Sequence, residues 1–406
     1  MEAQLRGYTD RHPLGYRCGD RIRFRFFLED VEGTLPAGRG LRVAWRRRGD
    51  DGAAEEGVLP VAPGKVAEVA TALAKPGFVW LSAALQHPDG SPVMRSDGRP
   101  VLFDGGAGAD VEEIPFSPEP DDFDDFWARQ LAALAAVPPV ARVVELDPME
   151  EAVIYTVSVD CAGPRPATAF MSIPNGAPRR SCAVRLHFDG YGFDLPKYQS
   201  QLKTASGDAI HLYVNAHGAE LMKCQEYYLA LNSAVKFDGQ MYAFSPEENS
   251  RPEKAYFLQM VWRALRMVEF ARSLPEWNGR DIVCEGISQG GLQSVWAAAL
   301  SPHVTEARVS IPWNCDVAGT RNFGRLFGDW RLPYAPGLEY YDCVNMARRI
   351  RCRTTVVRAG LGDYICPPSG VSLFYRALQC EKSIRWYQGA THVSIPRFPE
   401  YFDVRG

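Results

Sequence analysis

Several absences narrow what this chain can be. No apolar run reaches the ~18 residues that a transmembrane helix needs, and the first nineteen residues, Met1 to Gly19, hold no apolar signal-peptide core. The default expectation is therefore a cytoplasmic protein. Ten cysteines are scattered without a C-x-x-C pair or a Cys/His cluster at metal spacing, so they read as reduced, mostly buried thiols, and no metal site is expected. Charge of one sign is missing too: 45 Lys and Arg against 49 Asp and Glu leave a net charge of -4, which gives no reason to expect nucleic acid or an anionic membrane as partner. The one basic cluster, Arg46-Arg47-Arg48, closes a strand-like segment and reads as a solvated edge. There is no internal repeat and no long low-complexity tract. What is present is globular: 406 residues, 46% hydrophobic and 23% charged, with material for two domains.

From about Asp20 to Asp104 the pattern alternates as half-buried strands do, most clearly in Ile22-Arg23-Phe24-Arg25-Phe26. Leu41 to Trp45, Lys65 to Ala72 and Phe78 to Gln86 are further strand candidates, and residues 1–104 read as a small β-sandwich domain. A composition shift follows. Gly105-Gly106-Ala107-Gly108, then Pro115, Pro118 and Pro120, read as a linker over residues 105–120. Asp121 to Ala136 opens acidic and continues with Phe123, Phe126, Trp127, Leu131 and Leu134 at helical spacing. Beyond it strands and helices alternate: strands at Val153 to Val159, Thr168 to Ile173, Cys182 to Phe188 and His211 to Val214, a helix from Glu253 to Ser273, and later strands at Val304 to Pro312 and Arg353 to Ala359. Helical stretches at Tyr341 to Arg349 and Ser369 to Leu378 come before Ser383 to Tyr387, which ends the sheet in this reading. The fold class expected for residues 121–406 is α/β, with a mostly parallel sheet.

Within that alternation, Gly286-Ile287-Ser288-Gln289-Gly290-Gly291 fits G-x-S-x-G between an apolar strand, Ile282 to Cys284, and a helix from Leu292 to Leu300. Chance alone gives roughly 0.2 such matches in a Gly-rich chain of this length, so placement decides. A serine at a sharp strand-to-helix turn projects its Oγ clear of the sheet, and small neighbours let the chain pass close to itself. The helix N-terminus beyond it aims free N-H groups at a developing oxyanion. Partners belong in loops after later strands. Asp363 follows the strand Thr354 to Ala359, and His392 follows the last strand, in the order Ser, Asp, His of an α/β-hydrolase. Asp316 and Asp342 are rival acids, but neither follows the penultimate strand. The loop Asp189-Gly190-Tyr191-Gly192-Phe193 offers the Tyr191 N-H as a second oxyanion donor beside that of Gln289; on local sequence it reads equally as a plain Gly-rich turn.

Taken together, Asp121-Asp122-Phe123-Asp124-Asp125-Phe126-Trp127, Gly190-Tyr191-Gly192, the Ser288 turn and Gly360-Leu361-Gly362-Asp363-Tyr364-Ile365-Cys366-Pro367-Pro368-Ser369 resemble the acetyl xylan esterase and cephalosporin C deacetylase family of carbohydrate esterases, over roughly Pro120 to Pro396. The resemblance implies an α/β-hydrolase with the triad Ser288, Asp363 and His392, an oxyanion hole from the Tyr191 and Gln289 N-H groups, no cofactor, small acylated carbohydrates as substrates, and ring-like homo-oligomers. Two departures stand out: Asn215-Ala216-His217-Gly218 replaces the family's Arg-Gly-Gln-Gly, and Val393 replaces the Glu usual after the histidine. The excursion Ala219 to Pro252 fits the family less well, and its Tyr227, Tyr228, Phe237, Tyr242 and Phe244 are candidates for the wall of a sugar site. Two other readings stay open. One is a hydrolase of aromatic esters or peptides, like prolyl-oligopeptidases with a capping β domain. The other is a non-catalytic protein that binds glycan or mediates assembly, against which the Ser, Asp and His set argues.

Overall fold

A computed structural model describes residues 3–30, 40–146, 150–193, 209–239, 242–328, 330–397 and 399–406. Seven strands form the first domain: β1 (Ala3–Thr9), β2 (Ile22–Asp30), β3 (Arg42–Gly49), β4 (Ala54–Pro60), β5 (Val66–Thr71), β6 (Gly77–Gln86) and β7 (Leu102–Ala109). They make two antiparallel sheets, ordered β1-β2-β5 and β4-β3-β6-β7, whose inner faces share one core. β2 shows the cause. Ile22, Phe24 and Phe26 are fully buried, while Arg23 and Arg25 point the other way and pair with Glu68 of β5 at 3.1 and 3.2 Å.

Two expectations change here. Gly105 to Gly108 do not open a linker; they complete β7, paired along β6. A strand of small residues reads from composition as a loop, and only long-range pairing makes it a strand. Nor is the arginine cluster a solvated edge, because β3 is paired on both sides, by β4 and β6. Arg47 is fully buried, with both Asp51 carboxylate oxygens at 2.8 Å, Thr71 Oγ1 at 3.0 Å and the Ala53 and Ala72 carbonyls at 2.6 Å. A buried guanidinium needs such full pairing. Arg46 meets Glu56 at the surface, and Arg48 lies over the Trp80 ring at 4.4 Å.

The second domain starts with α1 (Phe123–Ala135), which buries Phe123, Phe126, Trp127 and Leu134. Its strands are β8 (Ala141–Glu145), β9 (Ala152–Val159), β10 (Ala167–Pro174), β11 (Cys182–Phe188), β12 (Ala209–Asn215), β13 (Trp277–Ile287), β14 (Glu306–Ser310), β15 (Arg353–Gly360), β16 (Lys382–Gln388) and β17 (Glu400–Arg405). The sheet order is β17-β16-β15-β14-β13-β11-β12-β10-β9-β8. The six strands from β16 to β12 are parallel, and the others extend both edges antiparallel. The sheet therefore does not end at β16, because the chain turns back after the histidine loop and adds β17. Helices α2 (Tyr256–Ser273) and α3 (Gln289–Leu300) pack against each other and over the central strands, while α4 (Pro368–Ala377) covers β15 and β16 and touches β6 of the first domain. This is an α/β-hydrolase architecture with a small β domain in front. No described helix is long and apolar enough to cross a membrane.

Candidate active site

Parallel strands bring their carboxyl ends to one edge, so the loops after β11, β13, β15 and β16 meet there. β13 runs straight into α3 through Ser288, whose φ of 57° and ψ of -117° lie where a side chain is strained by ~1–3 kcal/mol. The flanking glycines are required by contact. A Cβ on Gly290 would sit 1.9 Å from the Phe188 carbonyl oxygen, and one on Gly286 would sit 2.3 Å from the Gly290 carbonyl carbon. The Ser288 N-H donates to Ser310 O at 2.9 Å, and its carbonyl accepts from Leu292 N at 3.0 Å and Trp313 N at 3.2 Å. Backbone bonds on both sides thus hold the strained residue, which is only 7% exposed.

The structure brings Asp363 and His392 together. Asp363 is buried, and its Oδ1 accepts from the N-H groups of Ile365 and Cys366 at 3.0 and 2.9 Å. Its Oδ2 lies 3.0 Å from His392 Nδ1. A carboxylate in that position fixes the proton on Nδ1 and leaves Nε2 as the basic nitrogen. Arg358 secures the His392 loop, donating from Nη2 to the carbonyls of Thr391 at 2.5 Å and His392 at 3.1 Å. The Cys366 Sγ lies within 4.8 Å of a carboxylate oxygen of Asp363 and a ring nitrogen of His392. Burial pushes that thiol well above its ordinary value, so it is a neutral neighbour and no second nucleophile. Among the described residues no hydrogen bond joins Ser288 Oγ to His392, and such bonds are often long without substrate. The rival acids are occupied elsewhere: Asp316 pairs with Arg325 and Ser117, and Asp342 accepts three backbone N-H groups, from Asp316, Val317 and Val344.

On the other side of the serine, Gln289 is the first residue of α3, so its N-H has no acceptor within the helix. A network behind it holds the Tyr191 loop. Tyr191 O-H donates to Tyr242 O at 2.6 Å, Gly192 N-H donates to Tyr242 Oη at 3.1 Å, and Tyr242 O-H donates to Gln289 Oε1 at 2.6 Å. His217 completes it. Its Nε2 donates to Gly192 O at 2.9 Å, which makes Nδ1 the acceptor from Tyr256 O-H at 2.9 Å. Burial lowers the His217 pKa to about 3, keeping it neutral. The residue that departs from the Arg-Gly-Gln-Gly pattern is thus a strut under the Tyr191 loop. Of the five aromatics in the excursion, Tyr242 and Phe244 stand beside Tyr191, at ring distances of 4.4 and 6.2 Å. Tyr227 and Tyr228 instead hold the turn at Glu220, and Phe237 lies at the surface. Residues 240 and 241 of this excursion lie outside the described residues.

Residues 112–324 and 335–403 match the sequence profile of the acetyl xylan esterase (AXE1) family. The chain belongs to the acetyl xylan esterase family. Among curated proteins it is 24% identical over 280 residues to acetyl esterase Axe7A of Xylanibacter ruminicola, covering 66% of this chain and 62% of that one. The chain therefore spans less than two thirds of that relative's length. Its fold is similar to the acetyl xylan esterase from Paenibacillus sp. R4, with a TM-score of 0.59, 24% identity, and coverage of 70% of this chain and 94% of that one. It is also similar to acetyl xylan esterase 1 from Thermoanaerobacterium sp. JW/SL YS485, with a TM-score of 0.58, 22% identity, and coverage of 71% and 93%.

What this acetyl xylan esterase family member has outside the profile is residues 1–111, 325–334 and 404–406. The second segment carries Trp330, which sequence reasoning passed over because a lone tryptophan in a loop has no pattern. Its ring is 36% exposed, stacks on the buried Trp313 at 5.3 Å, and meets the edge of Tyr191 at 4.9 Å and Phe244 at 5.8 Å. A cavity of about 290 Å³ borders the same place, lined by Trp313, Val317, Phe327, Leu332, Pro333 and Tyr334. Cys366 and Arg358 were also missed as site residues. Cys366 stands in the quoted Asp363 motif, which was the one signal for it.

Proposed function

We propose that this chain is a serine esterase that removes acetyl or similarly short acyl groups from small carbohydrate esters, such as xylo-oligosaccharides, through an acyl-enzyme. One observation carries this reading: the buried Asp363 carboxylate 3.0 Å from His392 Nδ1, beside a serine held at φ 57° ahead of a helix. His392 Nε2 takes the proton of Ser288 Oγ as it attacks the ester carbonyl, and Asp363 stabilises the imidazolium that forms. The N-H groups of Gln289 and Tyr191 receive the oxyanion, each typically worth ~10²–10³ in turnover. The imidazolium then protonates the departing sugar oxygen, which leaves as the free hydroxyl, and a water activated by the same nitrogen releases the acid. The half-exposed Trp330 face beside Tyr191 suits stacking of a sugar ring.

Ser288→Ala is expected to reduce hydrolysis of p-nitrophenyl acetate to background while circular dichroism stays native. Full activity in that variant would overturn the assignment.

A further inference from the structure

The first domain does more than precede the site. We propose that its strand β7 is a splint that positions both the acid loop and the base loop of the triad, with Gln388 as the positioning residue; this rests on the serine-esterase reading above. Gln388 ends β16, four residues before His392, and is 2% exposed. Its Oε1 accepts the Gly106 N-H at 3.0 Å, and its Nε2 donates to the Gly106 carbonyl at 2.9 Å. The side-chain amide thus pairs with a backbone N-H and C=O as a neighbouring strand would. The same Oε1 accepts the Gly389 N-H at 3.3 Å, which ties the start of the base loop to this pair.

The acid loop is gripped by the same strand. A Cβ on Gly106 would lie 2.6 Å from the Leu361 carbonyl oxygen, and one on Gly362 would lie 2.1 Å from the Asp104 carbonyl oxygen. The backbones of β7 and of the segment leading to Asp363 are therefore in contact, which only glycine permits at those points. Gly362 N-H donates to Ala390 O at 3.0 Å, so the two loops are also bonded to each other. Next to Asp363, the Tyr364 ring stacks on Trp80 of β6 at 4.5 Å, and Trp80 Nε1 donates to Asp104 at 3.2 Å. The run Gly105 to Gly108 acquires a reason: it is a strand made small enough to lie against two catalytic loops. Because the family profile begins at residue 112, the splint is supplied by a region the profile does not include.

Loosening of about 1 Å at a reacting group can cost ~10²-fold. In Gln388→Met, which keeps length but none of the three hydrogen bonds, kcat for p-nitrophenyl acetate is expected to fall at least about tenfold with KM within about twofold. Gly106→Ala, on the other domain, should give the same fall in kcat at near-constant KM. Trp80→Leu gives a third readout should either variant fail to fold. Folded variants with unchanged kcat would overturn the splint while wild-type turnover upholds the esterase. A wild-type chain that fails to hydrolyse the ester would remove both.

Discussion

The proposed nucleophile and the proposed acid–base pair are secured in opposite ways. Ser288 is fixed mainly by what lies beside it: two glycines whose Cβ positions are blocked by backbone, a helix that starts at the next residue, and bonds to the neighbouring β14. Asp363 and His392 sit on loops whose decisive contacts come from far along the chain. Gln388 and Gly106 are 282 residues apart, and Tyr364 leans on Trp80. The comparison teaches that one half of this site announces itself in a hexapeptide, whereas the other half becomes visible only through the fold.

Three perturbations can break or sharpen that contrast. The largest effect is expected from Gly290→Ala, since the new Cβ would lie 1.9 Å from Phe188 O and must push the elbow away from β11. A loss in kcat of ~10²-fold or more should follow, measured in steady state at matched circular dichroism; near-wild-type turnover would show that the elbow is not locally determined. Next in size, Trp330→Ala should raise KM severalfold for an acetylated xylo-oligosaccharide and leave p-nitrophenyl acetate unchanged. Equal effects on both substrates would mean the ring does not touch the sugar, and a larger loss on a feruloyl ester would favour an aromatic acyl group.

The smallest effect concerns pH. Burial depresses His217 to about 3, against ~6.5 for a free histidine. A depressed folded-state value means that its stabilising contribution is whole above about pH 6.5 and drains away as pH falls toward 3. His211 follows the same sign, lowered to about 4 by burial and by its neighbour His187. His217→Gln keeps a donor for Gly192 O but cannot titrate, so its Tm should drop less between pH 7 and pH 4 than the wild type's. Parallel Tm curves would show that the strut does not govern acid stability.

The elbow, and the candidacy of Asp363 and His392, were legible because each rests on local order: an apolar strand, then a turn residue, in the sequence Ser, Asp, His. So was the α/β alternation. Gly105 to Gly108 misled for the physical reason that small residues signal a loop until a partner approaches them. Arg47 misled because its burial depends on Asp51, Thr71 and two carbonyls folding around it. β17 was invisible because Glu400 to Arg405 is a short edge strand of mixed residues whose pairing with β16 is decided by the return of the chain. Gln388, Trp330 and His217 have roles that exist only across elements, and no spacing in the chain announces them.

The central claim is that Ser288 is the activated nucleophile of the Asp363–His392 pair. Labelling the native chain with a fluorophosphonate and locating the adduct by peptide mass spectrometry tests it most directly. The adduct is predicted on Ser288, with labelling slowed by Gln388→Met and abolished by unfolding; an unlabelled native chain, or an adduct on any other residue, would contradict it.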